Sequence, residues 1–126
     1  MASTGAPKIF TVRADGAIAK GKAVKAGSDK DHVAVGAANT DRCIGIAQVA
    51  AVASGDFIEY ARPGDGAKGL LGETVVAGND LVSHTDGSLV LPNASGDQII
   101  ARALQGGAAN DLISVEVYMA PALASQ

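Results

Sequence analysis

The chain runs twice through one pattern. Ile18-Ala-Lys-Gly-Lys-Ala-Val24 aligns with Val75-Val-Ala-Gly-Asn-Asp-Leu81, which sets Gly21 on Gly78, and the same offset carries Asp29 onto Asp86. After single-residue slips, Asp41-Arg-Cys-Ile-Gly-Ile-Ala47 falls on Asp97-Gln-Ile-Ile-Ala-Arg-Ala103, and Asp56-Phe-Ile-Glu-Tyr60 falls on Asp111-Leu-Ile-Ser-Val115. Three blocks matching in order are read as a duplication, with one unit over about 16–63 and a second over about 73–118. A leading strand precedes them and the loop Gly64-Asp-Gly-Ala-Lys-Gly69 joins them. A repeated supersecondary unit buries its apolar face against its neighbour, so neither unit is expected to close a core alone. The division expected is a flexible N-terminal arm over 1–8, a single β domain over 9–121 and a C-terminal tail over 122–126.

Local signals within each unit point to strands. Asp15-Gly16, Gly55-Asp56, Gly64-Asp65-Gly66, Asp86-Gly87 and Gly96-Asp97 mark tight turns, because these residues tolerate positive φ and cap turns with their side chains. Between them lie β-branched runs: Lys8-Ile-Phe-Thr-Val-Arg13, Cys43-Ile-Gly-Ile-Ala47, Phe57-Ile-Glu-Tyr-Ala-Arg62 and Leu112-Ile-Ser-Val-Glu-Val-Tyr118. In the last, Ile113, Val115 and Val117 alternate with Ser114, Glu116 and Tyr118, the period of a strand with one buried face. Only Ala47-Gln-Val-Ala-Ala-Val-Ala53 has helical propensity, enough for a turn or two. The expected fold is all-β, a small barrel or sandwich of β-clip or β-tulip type built from two internal repeats with at most one or two short helices.

Composition limits how such a fold is held. Of 126 residues, 48% are hydrophobic but 3% aromatic, with 25 alanines, 16 glycines and no tryptophan. At roughly 25 cal/mol per Å² of buried apolar surface, small side chains give a thin core, and oligomerisation is an expected source of stability. The net charge of −3 and the scattered lysines Lys20, Lys22 and Lys25 do not form the concentrated positive surface that displaces counterions from nucleic acid. No run of eighteen apolar residues suggests a membrane span. The segment Met1 to Pro7 lacks the basic and apolar regions of a secretory signal. The reading is a soluble protein made in a reducing cytoplasm, with no nucleic-acid or membrane partner.

The chemistry-bearing residues are few and scattered. Gly16-Ala-Ile-Ala-Lys-Gly-Lys22 fits the spacing of a phosphate-binding loop, but Ala23 stands where the magnesium-binding hydroxyl belongs, so it reads as a surface β-turn. Ser28-Asp-Lys30 resembles the hairpin tip on which lipoyl carrier domains present a modified lysine, yet Asp31 follows and a solvated loop lysine is the simpler reading. His32 and His84 each lie near a carboxylate, but neither Ser83 nor Cys43 sits in a nucleophile-elbow sequence. One cysteine and two histidines leave too few ligands for zinc; Cys43 reads as a small buried hydrophobe, and Asn93-Ala-Ser95 as a turn. No catalytic, cofactor or metal site is expected, and the chain is not read as an enzyme.

The turn-and-strand units Ile18-Ala-Lys-Gly-Lys-Ala-Val24 and Val76-Ala-Gly-Asn-Asp-Leu-Val82, followed by Arg42-Cys-Ile-Gly-Ile-Ala47 and Ser54-Gly-Asp-Phe-Ile-Glu-Tyr60, resemble tailed-phage capsid cement or head-decoration proteins over about residues 9–121. The resemblance implies a virion protein added to the outside of an expanded head. It implies the major capsid protein as partner, homotrimers at threefold positions, and no cofactor. On that reading the N-terminal arm, with Pro7, Ile9 and Phe10, contacts the capsid by adding a strand to an exposed edge. The alternative is a small β-rich binding or carrier module without catalytic activity.

Overall fold

The structure is a computed structural model and describes residues 9–28, 31–38, 41–92 and 97–121. The described residues form ten strands: β1 (Ile9–Ala14), β2 (Ala23–Ala26), β3 (His32–Val35), β4 (Cys43–Ala47), β5 (Phe57–Ala61), β6 (Gly66–Leu70), β7 (Asp80–Ser83), β8 (Leu89–Val90), β9 (Gln98–Ala103) and β10 (Leu112–Pro121). No helix occurs among the described residues. The fold is all-β, as the β-branched runs and frequent turns imply.

The first five strands close into a barrel in the order β1-β3-β2-β4-β5, and the second five form a sheet in the order β6-β10-β9-β7-β8. These are the same cyclic order, with matching registers. Arg13 lies opposite Phe57 and Val12 opposite Ile58, as Leu70 lies opposite Leu112 and Gly69 opposite Ile113. Ala23 pairs with Ile46 and Val24 with Gly45 before a bulge; Asp80 pairs with Arg102 and Leu81 with Ala101 before a bulge at the corresponding step. Two turns are shared as well. Ile18 and Ala51 exchange backbone hydrogen bonds at 2.9 and 2.8 Å, and Val75 and Gly107 do so at 2.9 and 3.1 Å.

The two sets of strands differ where the barrel closes. In the first, the Arg13 N–H donates to Asp31 O and the Asp15 N–H to Val33 O, both at 2.8 Å, which joins β1 to β3 in parallel. In the second, β8 is only two residues long and meets the other edge at a single parallel bridge, Leu71 to Leu89. The Leu70 N–H, which corresponds to that of Arg13, donates instead to Gly21 O of the first barrel at 2.9 Å. The edge left by the short β8 is thus closed by the neighbouring unit. The Ala23 N–H donates to Gly87 O at 2.8 Å, and the Gln48 side-chain amide spans the Lys68 backbone with two bonds of 3.1 Å.

Packing follows the same division. Ala14, Ile18, Val24, Val33, Ala47, Ile58 and Tyr60 fill the first barrel. The larger cluster contains Leu71, Leu81, Leu89, Ile100, Ile113, Val115 and Val117 and extends across to Ala23, Cys43, Ile46 and Ala61. The alternation along β10 holds, with Ile113, Val115 and Val117 buried.

Two local expectations are corrected. The alanine-rich stretch 47–53 is not helical: Ala47 ends β4, Ala51 bridges to Ile18, and the Asp56 carboxylate accepts the Val52 and Ala53 N–H groups at 3.0 Å each. Its weak helical propensity loses to tertiary partners for the same backbone groups. The stretch 64–69, read as a connecting loop, contains most of β6, paired residue by residue with β10. It corresponds to β1, the strand that the alignment left outside the repeat.

Candidate functional site

Asp15 lies just beyond β1, where its carboxylate accepts the Ser28 N–H at 2.6 Å, the Ser28 hydroxyl at 3.1 Å and a hydrogen bond with His32 Nδ1 at 2.8 Å. The Ser28 backbone donor, then the His32 side chain, hold its pKa below the usual carboxylate value. The carboxylate is central here, and the Ser28 hydroxyl is spent on it rather than on the imidazole. A nucleophile of the triad type needs the base between itself and the acid; here the acid lies between the other two, and the cluster ties β1 to the turn before β3.

The other predicted positions behave alike. Ser83 is buried and donates to His84 O at 3.1 Å. His84 sits in the turn between β7 and β8, closed by Gly87 N–H to His84 O at 3.0 Å. Asp86 accepts the Ser88 hydroxyl at 2.6 Å, which lowers its pKa. Cys43 is buried, and desolvation pushes its thiol up to about 11. Asp41 accepts the Ala37 N–H at 2.8 Å and the Lys25 ammonium at 2.9 Å, and is held low chiefly by the first. Among the described residues, no three His, Cys, Asp or Glu side chains converge as metal ligands.

The phosphate-loop spacing at Gly16–Lys22 is occupied by structure. Gly21 is buried, its N–H donates to Ala47 O at 2.7 Å, and its carbonyl accepts Leu70 N–H. It is therefore an inter-unit contact rather than the surface turn expected. Lys30 and Asn93-Ala-Ser95 lie outside the described residues, as do Pro7, the arm 1–8 and the tail 122–126. Ile9 and Phe10 belong to β1, opposite Ala61 and Tyr60 of β5.

The described residues line concavities of modest size. A cleft of about 170 Å³ between β4 and β9 is lined by Arg42, Cys43, Gln98, Ile99, Ile100 and Met119. A shallower one of about 250 Å³ is lined by Gly72, Glu73, His84, Val90 and Leu91. Both are smaller than the 300–1,000 Å³ typical of small-molecule sites.

What the surface offers instead is apolar. Val52 is 84% exposed and Phe57 61% exposed, with Val49 nearby in sequence. Asp56 fixes this tip through its two backbone bonds, and Arg13 clamps it, donating to Gly55 O at 3.1 Å while its guanidinium lies 4.4 Å from the Phe57 ring centre. In the second unit Val76, Leu104 and Leu112 are exposed. Phe57 lies in a strand expected from its β-branched run, and its face follows from period two: Ile58 and Tyr60 are buried, which puts Phe57 outward with Glu59.

No protein-family model and no curated protein matches the sequence. Among solved structures, the N base of head fiber gp8.5 in bacteriophage phi29 is similar at a TM-score of 0.70 and 16% sequence identity, over 91% of this chain and 97% of that chain. At that identity the likeness is one of fold.

Proposed function

We propose that the chain is a structural protein of a tailed-phage head, which binds the outside of the expanded capsid and bridges neighbouring major capsid subunits as trimers at threefold positions. The observation that carries this reading is the shared fold with a head fiber base of phage phi29, which extends over nearly the whole of both chains. The resemblance of the repeated units to capsid cement proteins supports it independently. On this reading the protein is made in the host cytoplasm and ends on the outer virion surface.

The mechanism is mechanical. Each copy adds a modest interface, and multivalent attachment over a lattice turns modest contacts into tight binding. Association then stabilises both the thin-cored protein and the shell by mass action. The contact with the major capsid protein is assigned to the N-terminal arm with Pro7, Ile9 and Phe10. Because Ile9 and Phe10 already pair with β5, the strand they form anchors the arm while residues 1–8 reach the partner.

Co-sedimentation with expanded, undecorated heads tests this, with unexpanded procapsids as control. Saturable binding to expanded heads alone, at three copies per threefold site, is expected. Failure to bind the heads of its own phage sinks the reading and favours a small β-rich binding module.

A further inference from the structure

Besides the shared apolar cluster, the two units meet where a turn is laid on a strand pair. Gly21 approaches so closely that a Cβ there would lie 2.6 Å from Leu112 Cδ2 and 2.7 Å from Leu70 N, and Leu70 and Leu112 face each other across β6 and β10. Each partner has a counterpart elsewhere in the chain. Gly78 matches Gly21, with φ of +94° against +90° and its N–H on Ala103 O as that of Gly21 is on Ala47 O. Arg13 and Phe57 match Leu70 and Leu112, facing each other across β1 and β5.

These counterparts are uncovered. A Cβ on Gly78 would meet nothing within 4 Å among the described residues, and Val76 in the same turn is 63% exposed. Phe57, in the other unit, is 61% exposed. The substitutions between equivalent positions are complementary in charge. The strand pair exchanges neutral Leu70 for Arg13, while the turn exchanges Ala23 for Asp80 and Lys22 for Asn79. Asp80 retains exposed surface, with its carboxylate 3.7 Å from Arg102.

We infer that the Gly78 turn of one copy docks on the Arg13–Phe57 pair of a second copy of this chain, head to tail, repeating between molecules the contact that Gly21 makes within one. The intermolecular version lacks the two bonds that Gln48 makes to the Lys68 backbone, because Leu104 stands at the equivalent position, and it lacks one main-chain bond. The Arg13 N–H is already held by Asp31 O, so it cannot donate to Gly78 as that of Leu70 does to Gly21. The contact therefore rests on Phe57, Val76 and the Arg13–Asp80 attraction, and is reversible and weakened by salt. Such an interface is heterologous, each copy using two different patches, and it closes a ring when the rotation allows. The inference stands on the internal contact and not on the phage-head reading: a chain that self-associates yet ignores heads keeps the first and loses the second.

The test uses two single-cysteine variants at exposed positions, Phe57→Cys and Val76→Cys, oxidised mildly alone and as an equal mixture. Cys43 stays silent, since burial pushes its thiol up to about 11. The mixture is expected to give several-fold more covalent dimer than either variant alone. Sedimentation of the unmodified protein at high micromolar concentration is expected to give a mass above that of the 12.5 kDa chain in low salt, falling toward it in high salt. A monomer mass in low salt overturns the inference, and so does equal cross-linking of Phe57→Cys by itself, which would mean a face-to-face contact.

Discussion

Gly21 and Gly78 form an internal control for the junction between the units. Both take a left-handed φ, +90° and +94°, and both donate to the corresponding carbonyl, at 2.7 and 2.8 Å. They differ in what lies opposite the absent side chain: Leu112 and the Leu70 backbone for Gly21, open space among the described residues for Gly78. Gly78→Ala is expected to cost only the left-handed penalty, about 1–2 kcal/mol. Gly21→Ala adds about 1–3 kcal/mol for overpacking and about 1 kcal/mol for disturbing the 2.9 Å bond from Leu70. Its total is about 3–6 kcal/mol, against about 1–2 kcal/mol for the control. Urea unfolding followed by far-UV circular dichroism measures both, at protein concentrations low enough that contacts between copies do not contribute. In thermal scans each kcal/mol moves the Tm by about 3–5 °C at this chain length. If the two variants unfold within about 0.5 kcal/mol of each other, the scatter expected of ordinary surface changes, the close approach at Gly21 does not hold the units together and the reasoning fails.

Stability should fall in acid, since Asp15, Asp41 and Asp86 have lowered folded-state pKa values. Their contribution is complete above the unfolded carboxylate pKa near 4 and is lost as pH drops through the lowered folded values. Urea midpoints measured down the acid limb should fall less steeply in Asp15→Asn than in the parent; an unchanged slope refutes its share. Native protein should resist thiol reagents at mildly alkaline pH, because Cys43 is buried with its thiol at about 11 and the thiolate is the reactive form. Labelling as fast as that of a free thiol would contradict this placement. Removing residues 1–8, which leaves β1 whole, should keep the melting temperature and abolish co-sedimentation with expanded heads; normal decoration by the truncated protein removes the arm from the mechanism.

The strands that sequence made legible are those whose own side chains demand burial. Ile113, Val115 and Val117 alternate cleanly and line the shared core, and Cys43 to Ala47 is almost wholly buried. Gly66–Leu70 was illegible because its reason for being a strand lies in other residues. A Cβ on Gly69 would sit 2.5 Å from Leu89 Cδ1, so glycine is there to admit a neighbour's side chain, and pairing with β10 sets its backbone. The same holds for 47–53, whose amides are claimed by Asp56 and Ile18. The surface pair Arg13 and Phe57 was hidden for another reason. Forty-four positions separate the two in sequence, and only the antiparallel register of β1 and β5 brings the guanidinium onto the ring.

The backbone also shows how the two units seal their edges. An open strand edge is a template for further pairing, and the first barrel has a potential one along β1. That edge is closed by four-residue β3, through the bonds from Arg13 and Asp15. The corresponding edge of the second sheet, left short by two-residue β8, is closed by Gly21. Among the described residues, main chain therefore meets main chain at both junctions. Association there falls to side chains, whose contacts form and release without unfolding either unit. The result is a closed strand framework that carries exposed Phe57 and Val76 on its surface.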